Sequence, residues 1–217
     1  MEYRMDLMTA IVLTIILSLA VVGVTEDVRQ RMQFTWNINE GDYYIFKVSV
    51  FGYSKQNSVN VPLPQRLLNR TRLLVTIVSL PEIPHFINGK LFSENIIECI
   101  KTRTTYENGD LIPYALYYET NSLSSRCLLP VGSWSFLDSL YPNDVKPQDN
   151  TTIESYIGIQ LPDSFYIGYS SFGENQSSGW FGKISKDSGI PQNMTLWAWK
   201  FSDFYEYSYN VTLTLTT

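Results

Sequence analysis

The chain has 217 residues, which is enough for an N-terminal segment and one domain of ordinary size with a buried core. Its apolar fraction of 44% excludes wholesale disorder, and its fifteen tyrosines and eleven phenylalanines indicate β structure. The formal net charge of −5 argues against a nucleic-acid partner, because phosphate binding needs clustered lysine and arginine side chains.

An uncharged apolar run extends from Met8 to Val24. As a helix it would span about 25 Å, between the length of a signal-peptide core and that of a full transmembrane helix. No Ala-x-Ala cleavage site follows it, and the residues before it are not clearly basic, so cleavage and retention both stay open. We predict that residues 1–26 form a signal peptide or a membrane anchor and that residues 32–217 form an exported domain.

A hairpin is predicted directly after this segment. Apolar and polar residues alternate in "FTWNI" from Phe34, and a second alternation in "YYIFKVSVFGY" places Phe46 and Val48 on one face. The sequence "NEGD" lies between the two strands, and its Gly41 is expected to take a positive φ.

The middle of the chain has less regular patterns. Residues 54–70, "SKQNSVNVPLPQRLLNR", predict a long loop, and "TRLLVTIVSL" predicts a strand that ends at "PEIP". The stretch "ENIIECIKTRTTYENGD" predicts a helical turn followed by a strand. The stretches "LIPYALYYETN" and "SSRCLLPVGSWSFL" predict further short strands or one short helix.

The C-terminal stretch "YEYSYNVTLTLTT" has the clearest alternation, with apolar residues from Tyr205 to Leu215 on one face and Asn210 among the polar residues on the other. The preceding "MTLWAWKF" alternates similarly and is expected to pair with it around Ser202 and Asp203. Short strands with turn signals at these spacings predict a mainly β fold. We expect an antiparallel β-sandwich or partly open barrel, with one N-terminal apolar helix.

Export from the cell would decide the chemistry of two sets of residues, the sequon asparagines and the two cysteines. Five Asn-x-Ser/Thr sequons predict N-glycosylation, at Asn69, Asn150, Asn175, Asn193 and Asn210. In an exported protein, Cys99 and Cys127 are expected to form a disulfide that closes a loop of about thirty residues and stabilises the fold by roughly 3 kcal/mol. In a cytosolic protein they would be two unrelated core residues.

The sequence has few groups suited to catalysis. His85 is the only histidine, so a zinc site or a Ser-His-Asp arrangement lacks partners, and no glycine-rich phosphate loop is present. Carboxylates such as Glu94 and Glu98 show no spacing that singles out a glycosidase pair. We therefore predict no catalytic activity, no cofactor and no metal site.

Three tryptophans suggest a binding role. Trp197 and Trp199 share one face of a predicted strand, and together with Trp180 they are the natural choice for a sugar-stacking platform. Packing in the core is the competing interpretation of the same rings. A carbohydrate-binding module therefore stays open as an alternative function.

The order of these features resembles the choice-of-anchor S domain proteins of archaea, particularly of the Asgard group. The shared stretches are "FTWNINEGDYYIFKVSV", "SLPEIP", "YENGDLIP", "CLLPVGSW" and "SKDSGIPQNMTLWA", spread over residues 34–217. The resemblance implies a β-rich surface domain with no established activity. Such domains commonly have a C-terminal anchor, whereas "TLTLTT" is not followed by an apolar helix. Attachment is then expected through the N-terminal segment, or the protein is secreted, or the chain is truncated before its anchor.

These observations predict a non-catalytic cell-surface or secreted β domain with a structural or recognition role. The expected partners are the membrane, if the N-terminal segment is uncleaved, and other surface proteins or glycans. The alternative is an archaeal pilin-like filament subunit, since those proteins also join an apolar helix to a glycosylated β domain. Here the charged "TEDVRQR" after the short apolar run suits a bundled filament core poorly.

Overall fold

The computed structural model describes residues 34–83, 97–140, 145–147 and 152–216. The predicted signal peptide or anchor of residues 1–26, the histidine at position 85 and the sequon at position 150 lie outside the described residues. Within the described ranges, no helix is long and apolar enough to cross a membrane.

The described part of the chain forms twelve β-strands, two α-helices and one 3-10 helix. The strands are β1 (Phe34–Thr35), β2 (Tyr43–Gln56), β3 (Val59–Asn60), β4 (Arg72–Ser79), β5 (Lys101–Tyr106), β6 (Val131–Gly132), β7 (Val145–Pro147), β8 (Thr152–Gln160), β9 (Ser164–Gly173), β10 (Gln176–Ser185), β11 (Pro191–Phe201) and β12 (Tyr205–Leu215). The helices are α1 (Tyr114–Arg126) and α2 (Trp134–Leu140), and the 3-10 helix is Pro64–Leu68.

Ten of these strands form one continuous antiparallel sheet, in the order β5-β4-β2-β12-β11-β10-β9-β8-β7, with β3 paired to the end of β2. Strands β1 and β6 form a separate two-stranded sheet. The prediction of a mainly β, antiparallel fold is confirmed. Among the described residues the large sheet stays open, because the outer strands β5 and β7 do not pair with each other.

One face of the large sheet is covered by the two described helices, and we call it the helix-covered face. Phe46 of β2 and Leu213 of β12 pack there with Leu123 of α1. Farther along the sheet, Leu137 of α2 packs with Phe165 of β9. All five side chains are at most 2% exposed, so the main core lies between the sheet and the helices.

The opposite surface of the sheet is the open face, which includes Phe51 of β2, Trp197 of β11 and Phe172 of β9. The register places these residues on the side away from the helices, because successive side chains of a strand point to opposite faces. Phe51 is 71% exposed. The two faces of one sheet therefore have very different environments.

The predicted hairpin of residues 34–53 has the predicted turn but a different pairing. Gly41 has a φ of +91°, as expected. Strand β1 pairs with β6, with Phe34 opposite Gly132, whereas β2 pairs with β4 and β12. The indole of Trp36 donates a hydrogen bond to the carbonyl oxygen of Pro81 at 2.9 Å. Contacts with segments distant in the chain therefore set the position of β1. The alternation pattern within one segment does not predict such contacts.

Two other segments differ from the expectation. The loop predicted for residues 54–70 is instead the end of β2, a turn, β3 and the 3-10 helix. The turn residues Asn57 and Ser58 both have a left-handed backbone. For residues 111–140, where short strands or one short helix were predicted, the structure has two helices, α1 and α2, with the two-residue strand β6 between them. Leu116, Thr120 and Leu123 recur at helical spacing and are all buried, which gives α1 one side that packs on the sheet.

The C-terminal hairpin is confirmed. Strands β11 and β12 pair along their length up to Phe201 opposite Glu206, and the turn between them contains Ser202. Val211 is buried on the helix-covered face, whereas Asn210 is exposed. The predicted apolar and polar sides of β12 are therefore the two faces of the sheet.

The predicted disulfide between Cys99 and Cys127 is not formed in the structure. Cys127 caps the end of α1, is fully buried and faces β10, where a Cβ added to Gly182 would lie 2.6 Å from its Sγ atom. Cys99 lies at the surface, in the turn before β5. Burial raises the pKa of the Cys127 thiol. Cys127 is therefore enclosed by the core, whereas Cys99 is exposed at the surface.

This placement predicts different reactivities for the two thiols. In native protein purified without reductant, we expect a maleimide to modify Cys99 rapidly and Cys127 only after unfolding, because the thiolate is the reactive form and burial suppresses it. Peptide mass spectrometry would locate the label. Cys99→Ser should abolish the rapid phase. Two thiols that react only after reduction would show instead that the disulfide forms.

Candidate functional site

A cleft of about 680 Å³ opens between the C-terminal half of α1 and strands β8 to β10. We call it the aromatic cleft. Its lining includes Glu98, Ser122, Arg126, Tyr156, Tyr169 and Trp180. A cavity of this size suits a small organic ligand or a few residues of a polymer.

Three aromatic residues stand side by side across the floor of the cleft. Tyr156 of β8 is directly opposite Tyr169 of β9, and Tyr169 is directly opposite Trp180 of β10. The ring centroids of the two tyrosines are 5.0 Å apart, with an interplanar angle of 59°. All three residues are half-buried. Directly opposed side chains are close neighbours, so the rings form a continuous strip.

Charged groups flank this strip. The Tyr169 hydroxyl donates a hydrogen bond of 2.6 Å to Oε1 of Glu154, and the Arg126 guanidinium lies 5.8 Å from the centre of the Trp180 ring. Burial is the largest cause that raises the pKa of Tyr169, and the hydrogen bond to Glu154 raises it further. The hydroxyl therefore stays protonated at neutral pH and remains a donor. Ring faces with hydrogen-bonding groups at their edges suit a ligand that is apolar on one side and hydroxylated on the other.

The three tryptophans of the predicted platform are not brought together. Trp180 lies in the cleft, whereas Trp197 and Trp199 share the open face, because the register of β10 and β11 separates them. The Trp197 ring lies over Gly179, where an added Cβ would be 2.8 Å from its Cζ2 atom. Its centroid is 5.9 Å from that of Phe172. Trp197 is thus partly engaged in packing along the sheet.

Sequence reasoning missed the two cleft tyrosines. Each lies in an ordinary alternating strand, in "TIESYIGIQ" and "SFYIGYSSFG". Only the register between β8, β9 and β10 places them in one row with Trp180. A high tyrosine content was the available signal, and it does not say which rings are neighbours.

The sequon asparagines occupy different environments. The exposed ones are Asn69, Asn175 and Asn210. Asn193 is half-buried, and its Nδ2 donates a hydrogen bond of 3.3 Å to Oγ1 of Thr214. Asn69 accepts a hydrogen bond of 2.9 Å from the backbone N–H of Val50. Glycosylation of these sites stays a prediction.

A second polar cluster lies between α1 and the sheet. The Glu119 carboxylate accepts hydrogen bonds from Nε2 of Gln65 at 3.2 Å and from the Tyr209 hydroxyl at 3.3 Å. Burial raises the pKa of Glu119, although both hydrogen bonds act in the opposite direction. The cluster joins α1 to β12 and to the 3-10 helix. Its role in the described structure is to hold elements together.

This raised pKa predicts a pH dependence. The folded protein binds the Glu119 proton more tightly than the unfolded chain does. The resulting stabilisation is complete below the unfolded pKa of about 4.3 and is lost as the pH rises through the folded pKa. Glu119→Gln has no carboxyl group to titrate and should not show this loss. We therefore expect the difference in the free energy of unfolding, variant minus wild type, to increase as the pH rises above about 4.3.

Urea unfolding at several pH values would measure this difference. Glu174→Gln changes the same charge at an exposed position and is the matched control. A difference between Glu119→Gln and wild type that does not change with pH would contradict the predicted direction of the Glu119 shift.

Within the described ranges, no group of three or more histidine, cysteine, aspartate or glutamate side chains is placed to hold a metal ion. Comparison of the chain with protein-family models, with curated proteins and with solved structures gives no match in any of the three. The function must therefore be inferred from the residues of the aromatic cleft, the two sheet faces and the sequence.

Proposed function

We propose that the protein is a non-catalytic recognition domain of the cell exterior, membrane-tethered or secreted, and that the aromatic cleft binds its ligand. The supporting observation is the row of Tyr156, Tyr169 and Trp180 on one face of three adjacent strands. The apolar N-terminal run, the five sequons and the resemblance to choice-of-anchor S domains support the location.

Carbohydrate is the ligand class that suits the cleft best. A pyranose ring has an apolar C–H face that stacks on aromatic side chains, and equatorial hydroxyl groups that need hydrogen-bonding partners at its edge. The three rings supply the first requirement. Glu154 and Arg126, next to Tyr169 and Trp180, supply acceptors and donors for the second.

Binding of the full-length protein to an immobilised panel of hexose and N-acetylhexosamine oligosaccharides would test this proposal. We expect Tyr156→Ala to lower the affinity about tenfold or more, because truncating a central aromatic contact typically costs at least about 1.4 kcal/mol. Tyr43→Ala is the matched control, since Tyr43 is exposed on the open face of β2. Its affinity should equal that of wild type.

Two outcomes would contradict the proposal. One is the absence of binding to any oligosaccharide on the panel. The other is an equal affinity for wild type and Tyr156→Ala, which would place the binding surface elsewhere on the molecule. Circular dichroism of both variants would show that the fold is retained.

A further inference from the structure

The open face presents a large number of exposed apolar side chains. They include Phe51, Ile153, Ile159, Phe172 and Phe181, each at least 39% exposed. They are not covered by either described helix. A broad apolar surface of this kind in an exported protein needs a partner or a cover, because it otherwise promotes association.

Asn210 lies in the middle of this face. It belongs to β12, an interior strand, and is directly opposite Phe51 of β2 on one side and Trp197 of β11 on the other. The Cβ atoms of directly opposed residues are about 5 Å apart. Any group attached to the Asn210 side chain therefore begins between two aromatic rings.

The Asn210 side chain is also chemically available. Asn210, Val211 and Thr212 form a sequon, and the Thr212 hydroxyl donates a hydrogen bond of 3.1 Å to Oδ1 of Asn210. The amide nitrogen Nδ2 makes no hydrogen bond with any residue that the structure describes, and the side chain is exposed. Nδ2 is the atom to which an N-linked glycan is attached.

We infer that an N-linked glycan on Asn210 covers the open face, with its first sugar ring packed between Trp197 and Phe51. This inference rests on the export that is part of the proposed function. In the modification, Nδ2 forms a bond to the anomeric carbon of a lipid-phosphate-linked sugar donor. The donor's C–O bond to phosphate breaks, the phosphate keeps the electron pair, and the displaced amide proton goes to solvent.

Two other sequons provide internal comparisons. Asn193 lies on the same face, but its Nδ2 already donates to Thr214 across the β11–β12 pair. Asn175 is exposed in the turn between β9 and β10, at the end of the sheet. A glycan at Asn175 would begin in this turn and not between Phe51 and Trp197. Asn175 is therefore the matched control for Asn210.

The test uses full-length protein from its native cells or from a host that exports and N-glycosylates it. Peptide mass spectrometry should find added sugar mass on the peptide that contains Asn210. Hydroxyl-radical oxidation should then modify Trp197 and Phe51 several-fold more in Asn210→Gln than in wild type. Asn175→Gln should leave the oxidation of both rings unchanged, and thermal unfolding of each variant would verify the fold.

The outcomes separate this inference from the proposed function. An occupied Asn175 with an unoccupied Asn210 would overturn the inference and leave export in place. An occupied Asn210 whose removal does not change the oxidation of Trp197 and Phe51 would also overturn it. If no sequon is occupied, the inference fails, and protease accessibility of the protein on intact cells would decide separately whether export fails with it.

Discussion

Replacing Phe46 by alanine is expected to lower the free energy of unfolding by about 3–5 kcal/mol. Phe46 is 1% exposed and belongs to the cluster that joins β2, β12 and α1. Its removal would lose the transfer free energy of a buried ring and leave a cavity that the surrounding strands cannot close. Urea unfolding of protein made without glycosylation would measure the loss.

Phe51→Ala provides the matched control, because it makes the same substitution on the same strand but on the open face. Phe51 is 71% exposed, so we expect a change within about 0.5 kcal/mol. Equal losses for the two variants would contradict the assignment of β2 to a covered and an open face. A small loss for Phe46→Ala alone would mean that α1 does not cover this part of the sheet.

Gly52→Ala is expected to lower the free energy of unfolding by about 3 kcal/mol or more. Gly52 has a φ of +140°, and a Cβ added there would lie 2.1 Å from the backbone oxygen of Ser208. The contact is between backbones of β2 and β12, so neither a rotamer change nor a flexible side chain relieves it. The two central strands would have to separate locally.

The loss at Gly52 has two causes, the backbone strain of a positive φ and the steric clash with β12. Gly41→Ala separates them. Gly41 also has a positive φ, of +91°, but an added Cβ would meet no atom within 4 Å. Its replacement should therefore cost only the backbone strain, about 1–2 kcal/mol. Thermal or urea unfolding of both variants would give the difference. A loss at Gly41 equal to the loss at Gly52 would contradict a steric role for the β2–β12 contact.

The two faces of the sheet suggest separate roles for its aromatic residues. Tyr156, Tyr169 and Trp180 line a cleft next to α1 and are available to a ligand, in the function that we propose. Trp197 and Phe51 lie on the other side of the sheet, beside a sequon. A ligand in the cleft and a glycan on the open face would therefore not compete for space.

Several features were accessible from the sequence because they depend on neighbouring residues only. The alternation of "YEYSYNVTLTLTT" predicts both the strand β12 and its buried side, since side chains of a strand point alternately to two faces. The turn at Gly41 and the hairpin around Ser202 follow from local backbone preferences in the same way. The mainly β, antiparallel class follows from several such strands taken together.

The remaining features depend on contacts between residues distant in the chain. Strand β1 pairs with β6 rather than β2, Cys99 is exposed whereas Cys127 is buried, and Trp180 lies on the opposite face from Trp197. No local pattern contains this information, because it arises from which strands become neighbours and in which register. The sequence by itself therefore determined the strands with clear alternation, such as β2, β11 and β12, and the sequons. The tertiary structure alone decided the aromatic cleft and the surroundings of Asn210, since both are assembled across strands by hydrogen-bonded pairing.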